Sequence, residues 1–583
     1  MLITDGFMRH GMQHPSKTAI QFGASSYTYE YVLASVRQVA AAVQSLASCS
    51  HVAEGTVSSN GLESNTLGMH PMYPQRPCIA LLIPNRVELL EIFLGTALAG
   101  GVAMVLNPDW PRDRIRRILT RWTPDVLVAE ASLLEMLGLS APYSQAEASC
   151  NPVSYLNFQE PEGCQDKTLR YLEMDFSVMA IALDASNNTP VLDYHQWKAN
   201  ASVPPQERSD SGTTPFYIGF TSGTTGLPKG VIRSHSSWVT SFQSGQVEFG
   251  IDDDDHILVP GAFVHSLSLY TAVEALVNGA TLHGMPAFTP KAVLQQLTQA
   301  PITRVVAVPT LLKAIARAAS REEMTFPAMH TIISGGSKLS SDLRTQLHTI
   351  FPNADILEYY GASELSFITL APSAESVPPS SVGRPFHGVE VSVRRDNGTA
   401  AAPGQIGWIG VHSEMVCSGY LDAADETGFR VEDGWATVGD RGWLDEAGYL
   451  YLVGRERDML ICSGINVYPA EIEAVLLTYP GIEEAIVIGL PDDCRGDIIC
   501  AVMTIDALMI HREFNRPTLV AYLKTQLEPS KCPRQFFIVD HFPLTTSGKI
   551  NRVELKRQVL ERSPRLLAIE HWVGCQERRG QEK

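Results

Sequence analysis

The strongest constraint on the fold is a strand–helix–strand pattern in the N-terminal part of the chain. An apolar run at 79–84 (IALLIP) precedes a helical segment at 88–101 (ELLEIFLGTALAGG), and a second apolar run follows at 102–108 (VAMVLNP). Two strands that are joined by a helix lie parallel in one sheet, with the helix covering one face. The pattern therefore predicts a parallel sheet with covering helices. Because charged residues interrupt the apolar stretch, it does not predict a membrane span.

The same alternation returns in the middle of the chain and then changes character. Strand-like and helical segments alternate from Tyr217 to Gly361, whereas short strands separated by glycines follow after residue 386. A compact α/β pattern follows a hinge-like segment at 454–460 (GRERDML). These features predict an α/β fold. Its large N-terminal region consists of stacked sheet–helix subdomains plus a small β-barrel-like piece, and a smaller, mobile α+β domain lies at the C-terminus.

Length and local composition predict the domain boundaries. A chain of 583 residues is too long for one hydrophobic core. We expect an N-terminal domain at 1–455, a C-terminal domain at 456–570 and a tail at 571–583. Two polar stretches, near 49–77 and 140–214, lack a clear pattern, so we expect them to be insertions.

Charge and cysteine content exclude several classes of protein. The formal net charge is -18 at pH 7, which argues against nucleic acid as the main partner. The ten cysteines show no C-x-x-C spacing, so neither a zinc site nor a disulfide framework is expected. The first residues lack the apolar core of a signal peptide. Together these features predict a cytoplasmic protein.

The segment from Gly219 to Val231 (GFTSGTTGLPKGV) carries the densest set of possible phosphate ligands. Its glycines and hydroxyls can direct N–H and O–H donors at phosphate oxygens, and its lysine supplies a cation. The spacing is not that of a Walker A motif, because Pro228 precedes the lysine and Gly230 follows it. The candidate phosphate-binding residues are Thr221, Ser222, Gly223, Thr224, Thr225, Gly226 and Lys229.

This segment resembles the phosphate loop of the adenylate-forming superfamily, which comprises acyl-CoA synthetases, carrier-protein adenylation domains and luciferases. Further similar elements follow in the expected order, and the chain looks most like a fatty-acid or other acyl-CoA ligase. These elements are Val264-His265-Ser266, Gly335-Gly336-Ser337, Tyr359-Tyr360-Gly361-Ala362-Ser363-Glu364, Val438-Gly439-Asp440, Gly454-Arg455, Ser463 to Glu473, and Pro543 to Lys549.

The resemblance implies an ATP-dependent ligase that converts a carboxylic acid and ATP into acyl-AMP and diphosphate, and then transfers the acyl group to the thiol of coenzyme A. It implies that Glu364 holds Mg²⁺, that Tyr360 stacks on adenine and that Asp440 accepts the ribose hydroxyls. Arg455 would reach the ribose and phosphate. The other implied nucleotide-binding residues are Gly335, Gly336, Ser337, Tyr359, Gly361 and Ser363, and the implied catalytic set is Lys549, Glu364, Thr221 and His265.

Lys549 is implied to be the adenylation lysine. The acid is an anion and attacks the α-phosphate of another anion, so charge must be neutralised where it builds up in the transition state. A lysine ammonium is a compact point charge that can bridge the carboxylate and the phosphate oxygens. Gly548 allows the loop to approach closely.

Gly464 is implied to serve the second step. By resemblance, the C-terminal domain rotates about Arg457, withdraws the lysine and brings the 463–469 segment to the active site. Pantetheine would then pass close to the backbone, where glycine leaves room. The chain departs from the usual pattern at three positions: Arg457 replaces Asp or Lys, and both Ser363 and Val438 replace Thr.

The nature of the acid follows from one stretch of sequence. Enzymes of this kind that activate amino acids carry an Asp near the acid pocket, whereas no acidic residue occurs from Gly261 to Val273. An unpaired ammonium would be costly to bury there, so we expect a fatty acid first and an aryl acid second. Two alternatives remain. One is a stand-alone enzyme that loads a carrier-protein phosphopantetheine, and the other is a catalytically silent nucleotide-binding homologue.

Overall fold

The computed structural model of the chain describes residues 1–53, 69–70, 73–74, 76–139, 155–157, 177–184, 191–201, 211–221, 228–422, 428–455, 458–462, 465–492, 496–506, 515–545 and 550–568. These residues belong to two compact units. Unit 1 comprises Met1–Ser376, Phe386–Glu390 and His412–Thr427, and unit 2 comprises Val377–Pro385, Val391–Val411 and Gly428–Lys583. The predicted boundary between 455 and 456 stays a prediction.

The N-terminal part of unit 1 alternates strands and helices, as the sequence predicts. Its elements are α1 (Thr4–Gln13), β1 (Thr18–Phe22), β2 (Ser25–Thr28), α2 (Tyr29–Ala53), β3 (Met69–His70), β4 (Tyr73–Pro74), β5 (Cys78–Leu82), α3 (Val87–Leu98), β6 (Val102–Val105), α4 (Arg112–Trp122), β7 (Val126–Ala129), α5 (Ala131–Leu137), β8 (Tyr155–Asn157), β9 (Ser177–Ala182), β10 (Leu192–Asp193) and α6 (Tyr194–Ala199).

The same alternation continues to the end of the second sheet. The elements are β11 (Pro215–Thr221), β12 (Lys229–Ser234), α7 (His235–Phe249), β13 (His256–Leu258), α8 (Ser266–Val277), β14 (Thr281–Gly284), α9 (Pro290–Gln299), β15 (Arg304–Val306), α10 (Pro309–Arg321), β16 (Thr331–Ser334), α11 (Ser341–Ile350), β17 (Asp355–Ala362) and β18 (Ser366–Pro372).

The C-terminal third consists mostly of short strands. The elements are β19 (Arg384–Pro385), β20 (Glu390–Arg394), β21 (Gly407–His412), β22 (Gly419–Tyr420), β23 (Arg430–Glu432), β24 (Trp435–Thr437), β25 (Asp440–Leu444), β26 (Leu450–Arg455), β27 (Leu460–Cys462), β28 (Ile465–Val467), α12 (Pro469–Leu476), β29 (Ile482–Asp492), β30 (Gly496–Ile505), α13 (Arg516–Gln526), a 3-10 turn (Pro529–Lys531), β31 (Gln535–Ile538), α14 (Arg552–Leu560) and β32 (Leu567–Ala568).

The first sheet of unit 1 contains the predicted strand–helix–strand unit. Its strand order is β10-β9-β7-β5-β6-β11-β12-β22, and β5 pairs in parallel with β6. Ten residues of the connecting helix α3 are buried, which explains its almost continuous apolar sequence. Strand β12 is antiparallel to both of its neighbours, β11 and β22, so one edge of a mainly parallel sheet is antiparallel. This edge carries the predicted phosphate loop.

The second sheet of unit 1 is also mainly parallel. Its order runs β2-β1-β14-β13-β15-β16-β17-β18, with parallel pairing from β1 to β17 and an antiparallel final pair. Helices α9, α10 and α11 bury their apolar faces against it. An aromatic cluster connects the two sheets: Tyr217 of β11 contacts Trp238 of α7, which contacts Tyr270 of α8, which contacts Phe367 of β18.

Unit 2 contains two smaller sheets. The first has the order β23-β24-β21-β25-β26, and β20 also pairs with β21. In the part of the chain that the structure describes, these pairings do not close, so the predicted barrel-like piece is an open sheet. The second has the order β28-β27-β30-β31-β32, with β29 against β30. Helices α12 and α13 cover one face and α14 the other, which confirms the predicted α+β domain.

The structure differs from the sequence expectation for residues 140–214. Strand β9 lies within that stretch, pairs with β7 in the first sheet and contributes Val178, Ala180 and Ala182 to a buried core. Six residues between long polar runs are too short for a clear periodic signal, which explains the omission. At the other predicted insertion, α2 continues as far as Ala53. None of the helices in the described ranges has the length and apolar content that crossing a bilayer requires.

Gly95 provides a test of how closely α2 and α3 pack. A Cβ atom at this position would lie 2.5 Å from Cγ1 of Val39 and 3.0 Å from the carbonyl oxygen of Val36. Replacing glycine by alanine in a helix interior normally stabilises it by about 1 kcal/mol. We expect Gly95→Ala to destabilise the protein instead, by roughly 1–3 kcal/mol, because both helices are buried and overpacking forces them apart. A urea or thermal unfolding midpoint equal to or above that of the parent protein would contradict this close contact.

Candidate active site

The predicted phosphate loop connects two paired strands at the edge of the first sheet. Strand β11 ends at Thr221 and β12 begins at Lys229, and antiparallel pairing places these two residues opposite each other. The connecting residues, which include Ser222, Gly223, Thr224, Thr225 and Gly226, lie outside the described residues. The sheet therefore positions both ends of the predicted loop.

Lys229 and Glu364 are brought together by a tyrosine that the sequence analysis did not select. The Lys229 side chain is buried, and its Nζ lies 4.8 Å from the centre of the Tyr420 ring. The Tyr420 hydroxyl donates a hydrogen bond of 2.7 Å to Oε1 of Glu364. Tyr420 lies on β22, which pairs with β12. A Gly-Tyr pair in a polar stretch has no periodic or compositional signal, so only the tertiary contacts identify it.

The carboxylate of Glu364 suits a hard divalent cation. The residue lies in the turn between β17 and β18 and is 9% exposed. One oxygen accepts from Tyr420, and the other accepts no hydrogen bond from any residue in the described ranges. Magnesium usually takes one or two carboxylates and completes its shell with water and phosphate oxygens. The carboxylate of Glu364 therefore fits a magnesium ion that is shared with a nucleotide.

The turn that carries Glu364 is held by a buried arginine. Arg233 of β12 donates hydrogen bonds of 3.0 Å to the carbonyl oxygen of Ser363 and 2.9 Å to the hydroxyl of Ser366. It also donates a bond of 2.8 Å to the carbonyl oxygen of Met415. Ser366 adopts a positive φ of 60°, a conformation that non-glycine residues rarely adopt without such support. Burial lowers the pKa of Arg233 from its usual value.

The Gly335 and Tyr359 elements pack on each other. Gly335 follows β16, and a Cβ atom there would overlap the Tyr359 ring. That ring lies 4.8 Å from the ring of Phe367, so Tyr359 belongs to the aromatic cluster. Side chains alternate along a strand, which directs Tyr360 to the opposite face of β17. Gly336 has a φ of 91°, as a sharp bend after the strand requires.

The start of helix α8, where His265 lies, contacts the turn that carries Ser363. His265 is the residue before the first turn of α8, and it is half-buried. The next residue, Ser266, has its hydroxyl 3.2 Å from that of Ser363 in the Glu364 turn. The Val264-His265-Ser266 element, which the sequence analysis assigns to the neighbourhood of the substrate acid, therefore lies beside the turn of the predicted magnesium ligand.

Two residues of unit 2 that are predicted to bind the nucleotide contact each other. Asp440 and Arg455 lie opposite each other on β25 and β26, and Arg455 Nε donates a hydrogen bond of 2.9 Å to Asp440 Oδ1. Asp440 is buried, so the arginine compensates a carboxylate that would otherwise be costly to desolvate. The hydroxyl of Thr437 accepts from the backbone N–H of Gly439, which supports the turn before Asp440.

Three predicted residues of unit 2 lie outside the described residues. Gly464 belongs to the connection between β27 and β28, which pair antiparallel. Lys549 lies between Leu544 and Ile550, which form an isolated antiparallel bridge. Arg457 follows β26. Their roles stay predictions.

Helix α8 carries a buried carboxyl immediately after the stretch that lacks acidic residues. Burial raises the pKa of Glu274 to about 8, although the hydroxyl of Tyr270, 3.4 Å away, and the charge of Arg304 act in the opposite direction. A carboxyl with this pKa is mostly protonated at pH 7. Glu274 therefore supplies no fixed negative charge beside α8.

The chain belongs to the AMP-binding enzyme family, whose family model matches residues 68–421. The model of the AMP-binding enzyme C-terminal domain matches residues 471–549. The two matches cover both the phosphate loop and Lys549.

Similar proteins agree with this classification. The chain is 34% identical to the uncharacterized acyl-CoA ligase YhfT of Bacillus subtilis, over 85% of this chain and 91% of that protein. It is 28% identical to the long-chain-fatty-acid–CoA ligase FadD13 of Mycobacterium tuberculosis, over 82% of this chain and 88% of that protein. The crystal structure of ATP-bound MatB from Rhodopseudomonas palustris has a similar fold, with a TM-score of 0.73 and 24% sequence identity. The match covers 96% of this chain and 99% of that chain.

The reaction class follows from the family. The protein is an AMP-forming acid–CoA ligase, which forms an acyl-adenylate from a carboxylic acid and then a thioester with coenzyme A. Enzymes of this class use ATP, Mg²⁺ and coenzyme A.

The titration of Glu274 should make the stability of the folded protein depend on pH. Because the pKa of Glu274 rises from 4.5 to about 8 on folding, the folded protein binds more protons than the unfolded chain between these pH values. This group therefore lowers the free energy of unfolding as the pH rises from 4.5 to about 8. Glu274→Gln removes the titration and should raise the thermal midpoint at pH 8 more than at pH 5. An identical difference at every pH would contradict the assignment.

Proposed function

We propose that this ligase activates a fatty acid, with an aryl acid as the second candidate. The observation that carries the proposal is the apolar stretch at the start of α8, where no acidic residue occurs from Gly261 to Val273. Phe263, Leu269 and Val273 are fully buried. The ammonium group of an amino acid would find no carboxylate in this stretch to pair with. The fatty-acid ligase FadD13 is among the similar proteins.

The first step would use the residues of the β11–β12 edge. The Lys229 ammonium and the loop that begins at Thr221 would bind phosphate oxygens. Glu364 would hold Mg²⁺, which supplies charge neutralisation on the phosphates. Tyr360 would stack on the adenine, while Asp440 would accept the ribose hydroxyls. Lys549 would neutralise the charge that builds up as the carboxylate attacks the α-phosphate.

The second step would use a different part of the C-terminal domain. We propose that the domain begins near residue 456 and rotates about Arg457, so that the segment with Gly464 replaces the one with Lys549. The thiol of coenzyme A would then attack the acyl carbon and release AMP. The match of the C-terminal family model to residues 471–549 supports a separate C-terminal domain that includes the predicted adenylation lysine.

A cytoplasmic location is also part of the proposal. The described cysteines Cys78, Cys417, Cys462, Cys500 and Cys532 are free thiols. Free, mostly buried cysteines are usual in proteins of reducing compartments.

A panel of acids tests the substrate class. Short, medium and long saturated fatty acids, aryl acids and amino acids are compared by AMP release, with and without coenzyme A. We expect kcat/KM to rise with chain length, by up to about fourfold per methylene, because each buried CH₂ contributes roughly 0.8 kcal/mol. Higher kcat/KM for aryl acids would favour the second candidate, and activation of amino acids would contradict both.

Substitutions at Lys549 and Gly464 should affect adenylation and thioester formation separately. Lys549→Ala should slow acid-dependent ATP–diphosphate exchange roughly a hundred- to thousandfold, as expected for the loss of one contact to transition-state charge. Thioester formation from synthetic acyl-adenylate should be nearly unchanged. Gly464→Leu should have the opposite effect: exchange is retained, and thioester formation is lost because the side chain blocks the thiol.

Each variant serves as the control for the other, since both substitutions lie in the same predicted domain. Parallel losses of exchange and thioester formation in both variants would indicate a damaged fold. Full activity of Gly464→Leu would show that the thiol takes another route.

A further inference from the structure

Tyr420 contacts both charged groups of the predicted ATP site. Its hydroxyl lies 2.7 Å from Oε1 of Glu364, and its ring centre lies 4.8 Å from the Nζ of Lys229. We propose that Tyr420 is a positioning residue for adenylation: its hydroxyl orients the magnesium-binding carboxylate and its ring holds the phosphate-binding ammonium. This inference rests on the proposed roles of Glu364 and Lys229.

The backbone of the Glu364 turn is held independently of Tyr420. The backbone N–H of Cys417 donates to the carbonyl oxygen of Glu364 over 2.7 Å, and Arg233 donates to the carbonyl oxygen of Ser363 over 3.0 Å. These bonds place the Cα of Glu364 but leave its side-chain torsions free. The hydrogen bond from Tyr420 therefore orients the carboxylate rather than the turn.

The tyrosine itself is held by the sheet. Tyr420 pairs with Val231 across β22 and β12, two residues beyond Lys229 on the same strand. The ring and the lysine thus lie on two paired strands of one sheet, so the distance between the ring and the ammonium depends on sheet geometry and not on a loop. A cation over an aromatic face is attracted by the ring quadrupole, more strongly where water is excluded. Lys229 is only 5% exposed.

The remaining oxygen of Glu364, Oε2, takes no part in this hydrogen bond. A carboxylate that is held through one oxygen presents the other in a fixed direction, which lowers the cost of orienting it when a cation binds. Loss of the hydroxyl should therefore weaken binding of the metal complex of ATP, while binding of metal-free ATP depends on Lys229 and should change little.

The test is calorimetric titration of the full chain with ATP in the absence of an acid. One series contains excess Mg²⁺ and the other contains EDTA. For Tyr420→Phe we expect the Kd of Mg·ATP to rise about tenfold, as is typical for loss of a hydrogen bond to a charged group, with the Kd in EDTA unchanged. For Tyr420→Leu the Kd in EDTA should also rise severalfold, because the ring beneath Lys229 is lost. An unchanged Mg·ATP affinity in Tyr420→Phe, or equal weakening with and without Mg²⁺, would overturn the proposal.

Tyr194 provides a matched control. Its hydroxyl donates a bond of 2.8 Å to Oε2 of Glu91, the same type of contact. Tyr194 directly follows β10, at the opposite edge of the sheet that ends in β22. Tyr194→Phe should lower the thermal midpoint and leave both ATP affinities unchanged. If Tyr194→Phe alters the Mg·ATP affinity as much as Tyr420→Phe does, the effect is one of general stability and the proposal fails.

A double-mutant cycle distinguishes this inference from the function on which it rests. If Tyr420 acts through Glu364, then Tyr420→Phe should add little to Glu364→Gln in the Mg·ATP titration. Additive effects would overturn the positioning role. An unchanged Mg·ATP affinity in Glu364→Gln alone would instead refute the proposed magnesium ligand, and the inference with it. If Glu364→Gln weakens Mg·ATP binding but Tyr420→Phe leaves it unchanged, only the positioning role of Tyr420 is refuted.

Discussion

The candidate site depends on the hydrogen bonds of Arg233. This arginine is 3% exposed and lies on β12, four residues beyond Lys229. Burying a guanidinium is costly unless its donors are paired. Here two backbone carbonyls and a hydroxyl accept from its terminal nitrogens, whereas its Nε has no hydrogen-bond partner among the described residues. The cost is offset only while the β17–β18 turn and the segment at Met415 stay in place. A single buried charge therefore links the sheet edge to the turn that carries Glu364.

In each of the two units, contacts between side chains hold predicted ATP-binding residues in place before ATP binds. In unit 1 the contacts of Tyr420 join the predicted phosphate cation to the predicted metal ligand. In unit 2 the cross-strand bond between Arg455 and Asp440 joins the predicted ribose ligands. Lys229 and Tyr420 lie on paired strands, as do Asp440 and Arg455, so their spacing is set by the backbone ladder and not by flexible loops. Such preorganisation suits a reaction in which the protein provides no nucleophile and acts mainly by positioning and electrostatics.

Much of the architecture could be predicted from local patterns. The β5–α3–β6 unit has apolar runs long enough to indicate its strands and helix, and it is present as predicted. Strand β9 was missed because six residues between polar runs carry too little periodicity. The sheet around β21 and β25 was expected to be barrel-like because its strands are short and glycine-rich. Whether such a sheet closes depends on the pairing of its edge strands, which local composition does not specify.

The reaction class and the candidate ligands could be predicted from sequence motifs. Motifs such as the loop at 219–231 are contiguous, and their residue types are dictated by phosphate and metal chemistry. The residues that support those ligands are identified by contacts in the folded chain. Tyr420 lies 56 residues from Glu364, and Arg233 lies 182 residues from Met415. The near-neutral state of Glu274 likewise arises from burial by distant elements. Hydrogen bonding and desolvation between segments this far apart arise from packing, which no local pattern encodes.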